Sequence, residues 1–282
     1  MDIDGKAIAK SYRNKIRKEI EENNFSPRLA FILVGEEMAS QTYVRMKGKA
    51  SAEVGIGSIK IQLPELISEK ALLNEIDQLN KDPLVDGILV QMPLPKHIDE
   101  KKIISFIDPS KDVDGFHPNN LGKMLIGDSD CFIPCTPLGI LKLLEASNID
   151  TNGKNVVVVG RSNIVGKPIA NLLFQKRNKT GNATVTIAHS RTKNLKELCQ
   201  KADILIAAIG QAKFITKEMV KNQAVVIDVG INRIGKTLVG DVDYNNVASN
   251  CSFITPVPGG VGPMTIAMLL YNTLQSHKRR IT

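Results

Sequence analysis

The chain has 282 residues, of which 43% are hydrophobic, 4% are aromatic and none is tryptophan, and its formal net charge is +8. This length suits two modest domains better than one, and the composition predicts an aliphatic core. No apolar run approaches the roughly 20 residues of a membrane-spanning helix. The polar start Met1–Gly5 lacks the basic segment and apolar core of a signal peptide, so we expect a cytoplasmic protein without membrane association.

The positive charge is spread along the chain, and its one dense cluster, His277–Arg280, is interpreted as a solvated tail. No nucleic-acid-binding motif is present, so we expect no nucleic-acid partner, with a basic nucleic-acid-binding protein kept as an alternative. A dinucleotide phosphate or an acidic substrate tail would account for the charge. The four cysteines and four histidines lack the spacing of zinc ligands, which predicts reduced thiols and no metal.

Strand-like and helix-like patterns alternate through the first half of the chain, which predicts a parallel sheet flanked by helices. The predicted strands cover residues 29–34, 59–63 and 87–92, and the predicted helices cover 40–54 and 68–80. Asp108–Asn120 is rich in Pro, Gly, Asp and Asn, so we predict a long loop of the kind that often carries function. A predicted helix over 138–147 leads into the second half.

The alternation resumes in the second half and predicts a second α/β domain. Its predicted strands cover 155–159, 183–188, 204–209 and 225–229, its predicted helices cover 166–175 and 195–201, and a rigid loop over 255–263 precedes a final helix over 264–277. We therefore predict a two-domain α/β fold with an active-site cleft between the domains. Residues 1–120 form the N-terminal domain with a mostly parallel sheet, and 138–263 form a Rossmann-like domain. The segment 264–282 is expected to pack back on the N-terminal domain.

The segment after the Asn155–Val159 strand resembles a dinucleotide-binding turn. Gly160 permits a tight turn, Gly166 permits close contact between helix and strand, and the start of the helix would offer free N–H groups to a pyrophosphate. The spacing departs from the usual G-x-G-x-x-G, because Ser162 stands at the middle glycine and the last glycine comes one position late. A purely structural strand–turn–helix is therefore the alternative.

The end of the next predicted strand indicates which dinucleotide is bound. NAD sites usually carry an acidic residue there, whereas this chain has Ser190 and Arg191. Arg161 in the turn supplies a second guanidinium, and guanidinium groups favour a phosphate by charge and by bidentate geometry. We therefore predict NADP rather than NAD as the cofactor.

Polar residues of the first half form a second group of candidates. Tyr43 and Lys47 are four residues apart and share a face if the segment is helical, although a surface pair would show the same spacing. Gln91 follows a strand, at the end where parallel α/β sheets keep their sites. Asp114 lies in the predicted long loop.

Seven sequence motifs follow one another along the chain: YVRMK, VDGILVQMPLP, KDVDGFHP, PCTPLG, VVVGRSNIVGKP, DVGIN and TPVPGGVGPMT. In this order the chain resembles the bifunctional methylenetetrahydrofolate dehydrogenase/cyclohydrolase family, from about Gly5 to Gln275. The resemblance implies NADP-dependent oxidation of 5,10-methylenetetrahydrofolate to the 5,10-methenyl cation, followed by hydrolysis to 10-formyltetrahydrofolate. It would place the chain in one-carbon metabolism, which serves purine, methionine and histidine biosynthesis.

The resemblance also implies roles for individual residues. Lys47 would be the catalytic lysine of hydrolysis, because a lysine of lowered pKa can transfer protons. Tyr43 would stack on the folate, Gln91 would hold and tune Lys47, and Asp114 would accept hydrogen bonds from the amino-pyrimidine edge of the pterin. Backbone at Pro258, Gly259 and Gly260 would approach the substrate. The cofactor would contact Gly160, Arg161, Ser162, Val165, Gly166, Ser190, Arg191 and Ile231.

The resemblance implies a homodimer and a folate substrate whose natural form can carry a polyglutamate tail. Two further functional alternatives remain at this point. One is a folate dehydrogenase without hydrolase activity, whose signature would be loss of Lys47 or Gln91. The other is a non-catalytic NADP-binding protein, which would be expected to lack the folate-side residues. Both Lys47 and Gln91 are present.

Overall fold

The computed structural model describes residues 1–281, and no helix among them is long and apolar enough to cross a membrane. The chain divides into two compact units. The three-stranded unit comprises residues 10–135 and the chain from residue 266 onward, and the five-stranded unit comprises residues 1–9 and 136–265. The domain boundaries predicted from the sequence, at residues 120 and 138, remain a prediction.

The three-stranded unit is built around a parallel sheet in the order β2-β1-β3. Its central strand β1 is buried from its second residue to its last, as its run of apolar residues requires when helices cover the sheet. The elements up to residue 126 are α1 (Gly5–Asn23), β1 (Arg28–Val34), α2 (Met38–Glu53), β2 (Gly57–Leu63), α3 (Glu69–Lys81), β3 (Gly87–Val90), α4 (Glu100–Phe106) and α5 (Pro118–Ile126).

The five-stranded unit has a fully parallel sheet in the order β10-β7-β6-β4-β5 and a separate two-stranded antiparallel hairpin. The strands β6 and β7 are buried along their whole length, as expected for inner strands of a doubly covered sheet. The remaining elements are α6 (Cys135–Ala146), β4 (Asn155–Val159), α7 (Gly166–Phe174), β5 (Thr184–Ala188), α8 (Leu195–Gln200), β6 (Ile204–Ala207), β7 (Ala224–Asp228), β8 (Asn232–Ile234), β9 (Thr237–Val239), α9 (Tyr244–Val247), β10 (Cys251–Ile254) and α10 (Val261–Ile281).

The predicted α/β architecture with parallel sheets is confirmed, and three boundaries are corrected. The predicted loop 108–120 is wrong at its end, because α5 begins at Pro118 and the His117 side chain caps it by accepting from the Asn119 N–H. The final helix begins at Val261, inside the predicted loop 255–263. Helix α6 begins at Cys135 rather than at residue 138, with Pro137 in its first turn where no N–H is needed.

Candidate active site

Helix α2 carries Tyr43 and Lys47 on neighbouring turns. Its start is capped by Glu37, whose carboxylate accepts from the N–H groups of Ala39 and Ser40. Lys47 is half-buried, and its Nζ donates a hydrogen bond to Oε1 of Gln91 at 3.1 Å. The Tyr43 ring is also half-buried, and burial raises the pKa of its hydroxyl.

Gln91 is fixed at both its backbone and its side chain. Strand β3 ends at Val90, but the Gln91 N–H still donates to the Ile32 carbonyl and so continues the sheet. The side-chain Nε2 donates to the Met92 carbonyl at 2.7 Å. Because this bond orients the amide, Oε1 is the atom that faces the amine of Lys47.

The loop that contains Asp114 is organised by the buried carboxylate of Asp112. That carboxylate accepts from the N–H groups of Phe116 and His117 and from Nδ2 of Asn120. Burial raises the pKa of Asp112 to about 7, although the hydrogen bonds act in the opposite direction. Hydrogen bonds to the Asp112 carboxylate therefore fix the conformation of the loop, on which Asp114 is half-buried.

Asp114 and Met92 both line a small cavity beside β3, together with Val90 and Phe116. Gly115 adjoins Asp114 in a left-handed conformation with φ of 75°. A β-carbon at this glycine would lie 2.6 Å from the backbone nitrogen of Pro134, so no larger residue fits there.

Cys135, for which the sequence offered no role, lies next to both groups of candidates. Its thiol is fully buried and donates to the Val113 carbonyl at 3.3 Å. Its pKa is raised well above its ordinary value by burial and by the nearby Asp114 carboxylate, while Lys47 acts against this rise. Lys47 and Asp114 are thus both close enough to act electrostatically on one thiol.

Asn272 of helix α10 is a second residue that the sequence did not indicate. Its Nδ2 donates to the carbonyl of Val113 at 2.9 Å and to that of Ile133 at 3.1 Å. It is buried, so it supplies a donor to both carbonyls in place of water, and the Val113 carbonyl accepts from the Cys135 thiol as well. The residue directly before Asp114 is therefore fixed by a helix more than 150 positions away in sequence.

The turn after β4 has the close backbone contacts of a dinucleotide-binding turn. A β-carbon on Gly160 would overlap the carbonyl oxygen of Ala208, and one on Gly166 would overlap the carbonyl oxygen of Gly160. The prediction of free N–H groups at the start of α7 is wrong for Val165 and Gly166. Both N–H groups donate to the Ser162 hydroxyl, at 3.1 and 3.2 Å, because a serine at this position supplies a side-chain acceptor that a glycine lacks.

The end of β5 turns sharply and exposes Ser190 and Arg191. The turn is closed by two hydrogen bonds between His189 and Thr192, and His189 Nδ1 accepts from the Arg191 N–H at 3.2 Å. Arg161 is exposed in the neighbouring turn. These two exposed guanidinium groups beside a glycine-containing turn fit a phosphorylated dinucleotide.

Ile231 is exposed on the short segment between β7 and β8. Its neighbours Gly230 and Asn232 are both held by aspartates: the Gly230 N–H donates to Asp228 and Asn232 Nδ2 donates to Asp241. Sequence reasoning missed both aspartates, since hydrogen bonds to distant backbone groups leave no local pattern.

The remaining predicted substrate residues, Pro258, Gly259 and Gly260, belong to the five-stranded unit. The structure gives Gly260 a packing reason of its own, because a β-carbon there would lie 2.7 Å from the carbonyl oxygen of Pro256. Gly259 has φ of 119°, a conformation that favours glycine.

Within residues 1–281, no group of three or more His, Cys, Asp or Glu side chains could hold a metal ion. All four cysteines are free and buried thiols.

Comparison with known proteins identifies the family. Residues 3–114 match the catalytic domain of tetrahydrofolate dehydrogenase/cyclohydrolase, and residues 134–281 match its NAD(P)-binding domain. The bifunctional protein FolD of Protochlamydia amoebophila is 56% identical over 287 residues, covering 99% of this chain and 98% of that protein.

Solved structures agree with the sequence comparison. The bifunctional FolD enzyme from Campylobacter jejuni superposes with a TM-score of 0.95 at 47% identity, covering 99% of each chain. The Trypanosoma brucei methylenetetrahydrofolate dehydrogenase-cyclohydrolase, solved with NADP and an inhibitor, superposes with a TM-score of 0.94 at 38% identity, covering 100% of this chain and 98% of that one. The chain therefore belongs to the tetrahydrofolate dehydrogenase/cyclohydrolase family.

Proposed function

We propose that this chain oxidises 5,10-methylenetetrahydrofolate with NADP⁺ and hydrolyses the resulting 5,10-methenyl cation to 10-formyltetrahydrofolate. Both domains of the family match, and FolD relatives are more than half identical over nearly the whole chain. The observation that carries the proposal is the 3.1 Å hydrogen bond from Lys47 Nζ to Gln91 Oε1, in the unit that also holds Asp114.

Lys47 is proposed to move the proton in hydrolysis. Water adds to the bridge carbon of the methenyl cation. One of its protons is released to solvent, and the other goes to N5, which keeps the electron pair of the C–N5 bond as that bond breaks and leaves the formyl group on N10. Nζ of Lys47 is the group proposed to transfer the proton of the attacking water, while it donates a hydrogen bond to Gln91. Gln91 therefore fixes where Nζ lies.

Asp114 and Tyr43 are proposed to bind the folate. A carboxylate accepts two parallel N–H bonds from the amino-pyrimidine edge of the pterin, and this geometry fixes the orientation of the ring. The half-buried ring of Tyr43 offers an aromatic face for stacking. Backbone at Pro258, Gly259 and Gly260 would contact the substrate without a bulky side chain.

NADP⁺, when bound, supplies the acceptor for the hydride that leaves the methylene bridge. The dinucleotide would lie against the turn that contains Gly160, Val165 and Gly166. The two glycines let this turn pack closely on neighbouring backbone, and Ser162 accepts from the N–H groups of Val165 and Gly166. Arg161, Ser190 and Arg191 would hold the 2′-phosphate, and Ile231 would contribute an apolar contact. Because the oxidised folate is a resonance-stabilised cation, this step needs alignment of the reactants more than acid or base help.

A dehydrogenase without hydrolase activity is the nearest alternative, and the intact Lys47–Gln91 pair favours the bifunctional enzyme over it. We also propose a homodimer, a cytoplasmic location and acceptance of polyglutamylated folates, all from the family resemblance. Sedimentation of the purified protein tests the dimer, cell fractionation tests the location, and comparison of KM for mono- and polyglutamylated substrates tests the third proposal.

The proposed function is tested by incubating the protein with 5,10-methenyltetrahydrofolate in the absence of cofactor and following loss of the methenyl absorbance. We expect hydrolysis well above the rate in buffer. Reduction of NADP⁺ with methylenetetrahydrofolate but no enzymatic methenyl hydrolysis would show a dehydrogenase alone.

A further inference from the structure

Asp241 collects hydrogen bonds from two separate loops of the five-stranded unit. Its Oδ2 accepts from the N–H groups of Ile209 and Gly210, at 2.6 and 2.9 Å. Its Oδ1 accepts from the N–H of Gln211 and from Nδ2 of Asn232, both at 2.9 Å. The residue is fully buried, so one carboxylate serves three consecutive backbone amides and a side chain from another segment.

A second buried aspartate holds Asp241 itself. Oδ1 of Asp228 accepts from the N–H groups of Gly230 and Asp241, and its Oδ2 accepts from the N–H of Val242. Two nearby glycines make room for these carboxylates. A β-carbon on Gly230 would overlap the carboxylate of Asp241, and a β-carbon on Gly240 would overlap the carboxylate of Asp228. The arrangement therefore admits little variation in side-chain size.

The two loops joined by Asp241 border the predicted cofactor site. Residues 209–211 follow β6, which pairs with β4, and the carbonyl of Ala208 at the start of this loop touches Gly160 of the dinucleotide turn. Asn232 follows Ile231, another of the predicted cofactor contacts. Both loops leave the carboxyl ends of parallel strands, where α/β sheets bind their ligands.

We propose that Asp241 is a positioning residue for cofactor binding, which fixes the 209–211 loop and the Ile231 segment in the arrangement that receives the dinucleotide. The inference rests on the proposed function and adds to it a residue that acts through backbone amides. Ordering the two loops before the cofactor arrives lowers the conformational cost of binding, so the effect of losing Asp241 should appear as weaker NADP binding.

Asp241→Asn is the direct test, because the amide keeps the size of the side chain but replaces one acceptor oxygen with an N–H donor. Whichever way the amide turns, two of the four donors lose their acceptor. We expect the Kd of NADP to rise by about tenfold or more, with a larger change in KM for NADP⁺ than in kcat. Hydrolysis of methenyltetrahydrofolate uses no cofactor, and it should persist as evidence that the variant is folded.

Asp150→Asn is the matched control, since Asp150 is an exposed aspartate of the same unit that accepts a local hydrogen bond from the Asn152 N–H. Its NADP affinity should equal that of the wild type. Asn232→Ala removes one of the four donors to Asp241 and provides a second test of the inference if Asp241→Asn does not fold. We expect it to weaken NADP binding by a few-fold, about threefold to tenfold.

Unchanged NADP affinity in the folded Asp241→Asn variant, or in Asn232→Ala if that is the one that folds, overturns the inference. An equal loss of NADP binding and methenyl hydrolysis overturns it too, because that pattern indicates general damage to the protein. Failure of the wild-type protein to bind NADP would contradict the proposed function, and the inference with it. Normal wild-type binding with unaffected variants contradicts the inference alone.

Discussion

Replacing Lys47 by methionine separates the two proposed reactions. The variant keeps an unbranched side chain as far as Cε but lacks the amine that donates to Gln91 Oε1 at 3.1 Å. A positioned acid or base contributes about 10²- to 10⁴-fold to a rate, so methenyl hydrolysis should fall by about that factor. Oxidation of the methylene substrate needs no proton transfer by Lys47, and we expect it to fall by less than about tenfold.

The same change costs some stability, because the Gln91 oxygen loses its donor. Gln91 is half-buried, so water can replace part of the lost bond, and we expect a loss of about 1 kcal/mol in the free energy of unfolding. This is small enough for a well-folded protein to survive. The loss of hydrolysis can therefore be separated from unfolding by denaturant titration.

The assay follows methenyl absorbance and NADPH absorbance in the same cuvette, with the variant and the wild type at equal concentration. Lys49→Met is the control, because Lys49 is an exposed lysine of the same helix. It should retain both activities. Hydrolysis at the wild-type rate in Lys47→Met would refute the role given to this lysine.

Three further changes test the architecture around the sites. Gly160→Ala should abolish NADP binding and lower the free energy of unfolding by at least about 2 kcal/mol. The control Gly153→Ala is also at positive φ but has open space around it, so it should lower the free energy of unfolding by about 1 kcal/mol and leave NADP binding intact. Calorimetry measures both stability and binding. Asn272→Leu should raise the KM for folate in both reactions, since the Val113 carbonyl loses one of its two donors and the Ile133 carbonyl loses the Asn272 amide; an unchanged KM contradicts this. Asp112 has a pKa raised by burial from 3.8 to about 7, so its protonated form favours folding below about pH 4 and this contribution is lost as pH rises through 7. The free energy of unfolding of Asp112→Asn should therefore fall less between pH 5 and pH 8 than that of the wild type, and parallel profiles would count against the assignment.

The sequence predicted the elements whose patterns are local. The run Asn155–Val159 is β-branched and apolar after its first residue, so both faces must be covered, and the structure shows it inside the sheet. The helix that carries Tyr43 and Lys47 was predicted within two residues of its ends. Gln91 was expected at the end of a strand, and it directly follows β3.

The sequence could not predict contacts that join distant segments. Asn272 reaches Val113 from a helix 159 residues later, and Asp241 reaches a loop about 30 residues earlier. Neither contact leaves a periodicity or a spacing near the site. The role of the Ser162 hydroxyl could not be predicted either. At a position where glycine is usual, this hydroxyl accepts from the N–H groups of Val165 and Gly166, where the next helix begins.

The helix α1 was missed for a different reason. Its segment Gly5–Asn23 is strongly charged, and few apolar residues mark the face that it buries. Three of these, Ala9, Ile16 and Ile20, are buried in the structure. Widely spaced apolar residues of this kind give a weak helical pattern, and tertiary packing supplies what the pattern lacks.

The central claim is that one chain performs both reactions with NADP. The most direct test is to mix the purified protein with 5,10-methylenetetrahydrofolate and either NADP⁺ or NAD⁺, and to record reduced cofactor and methenyl absorbance together. The account predicts rapid NADPH formation, a much slower reaction with NAD⁺, and methenyltetrahydrofolate that is consumed by the enzyme. Equal rates with both cofactors, or methenyltetrahydrofolate that accumulates and decays only at its rate in buffer, would contradict it.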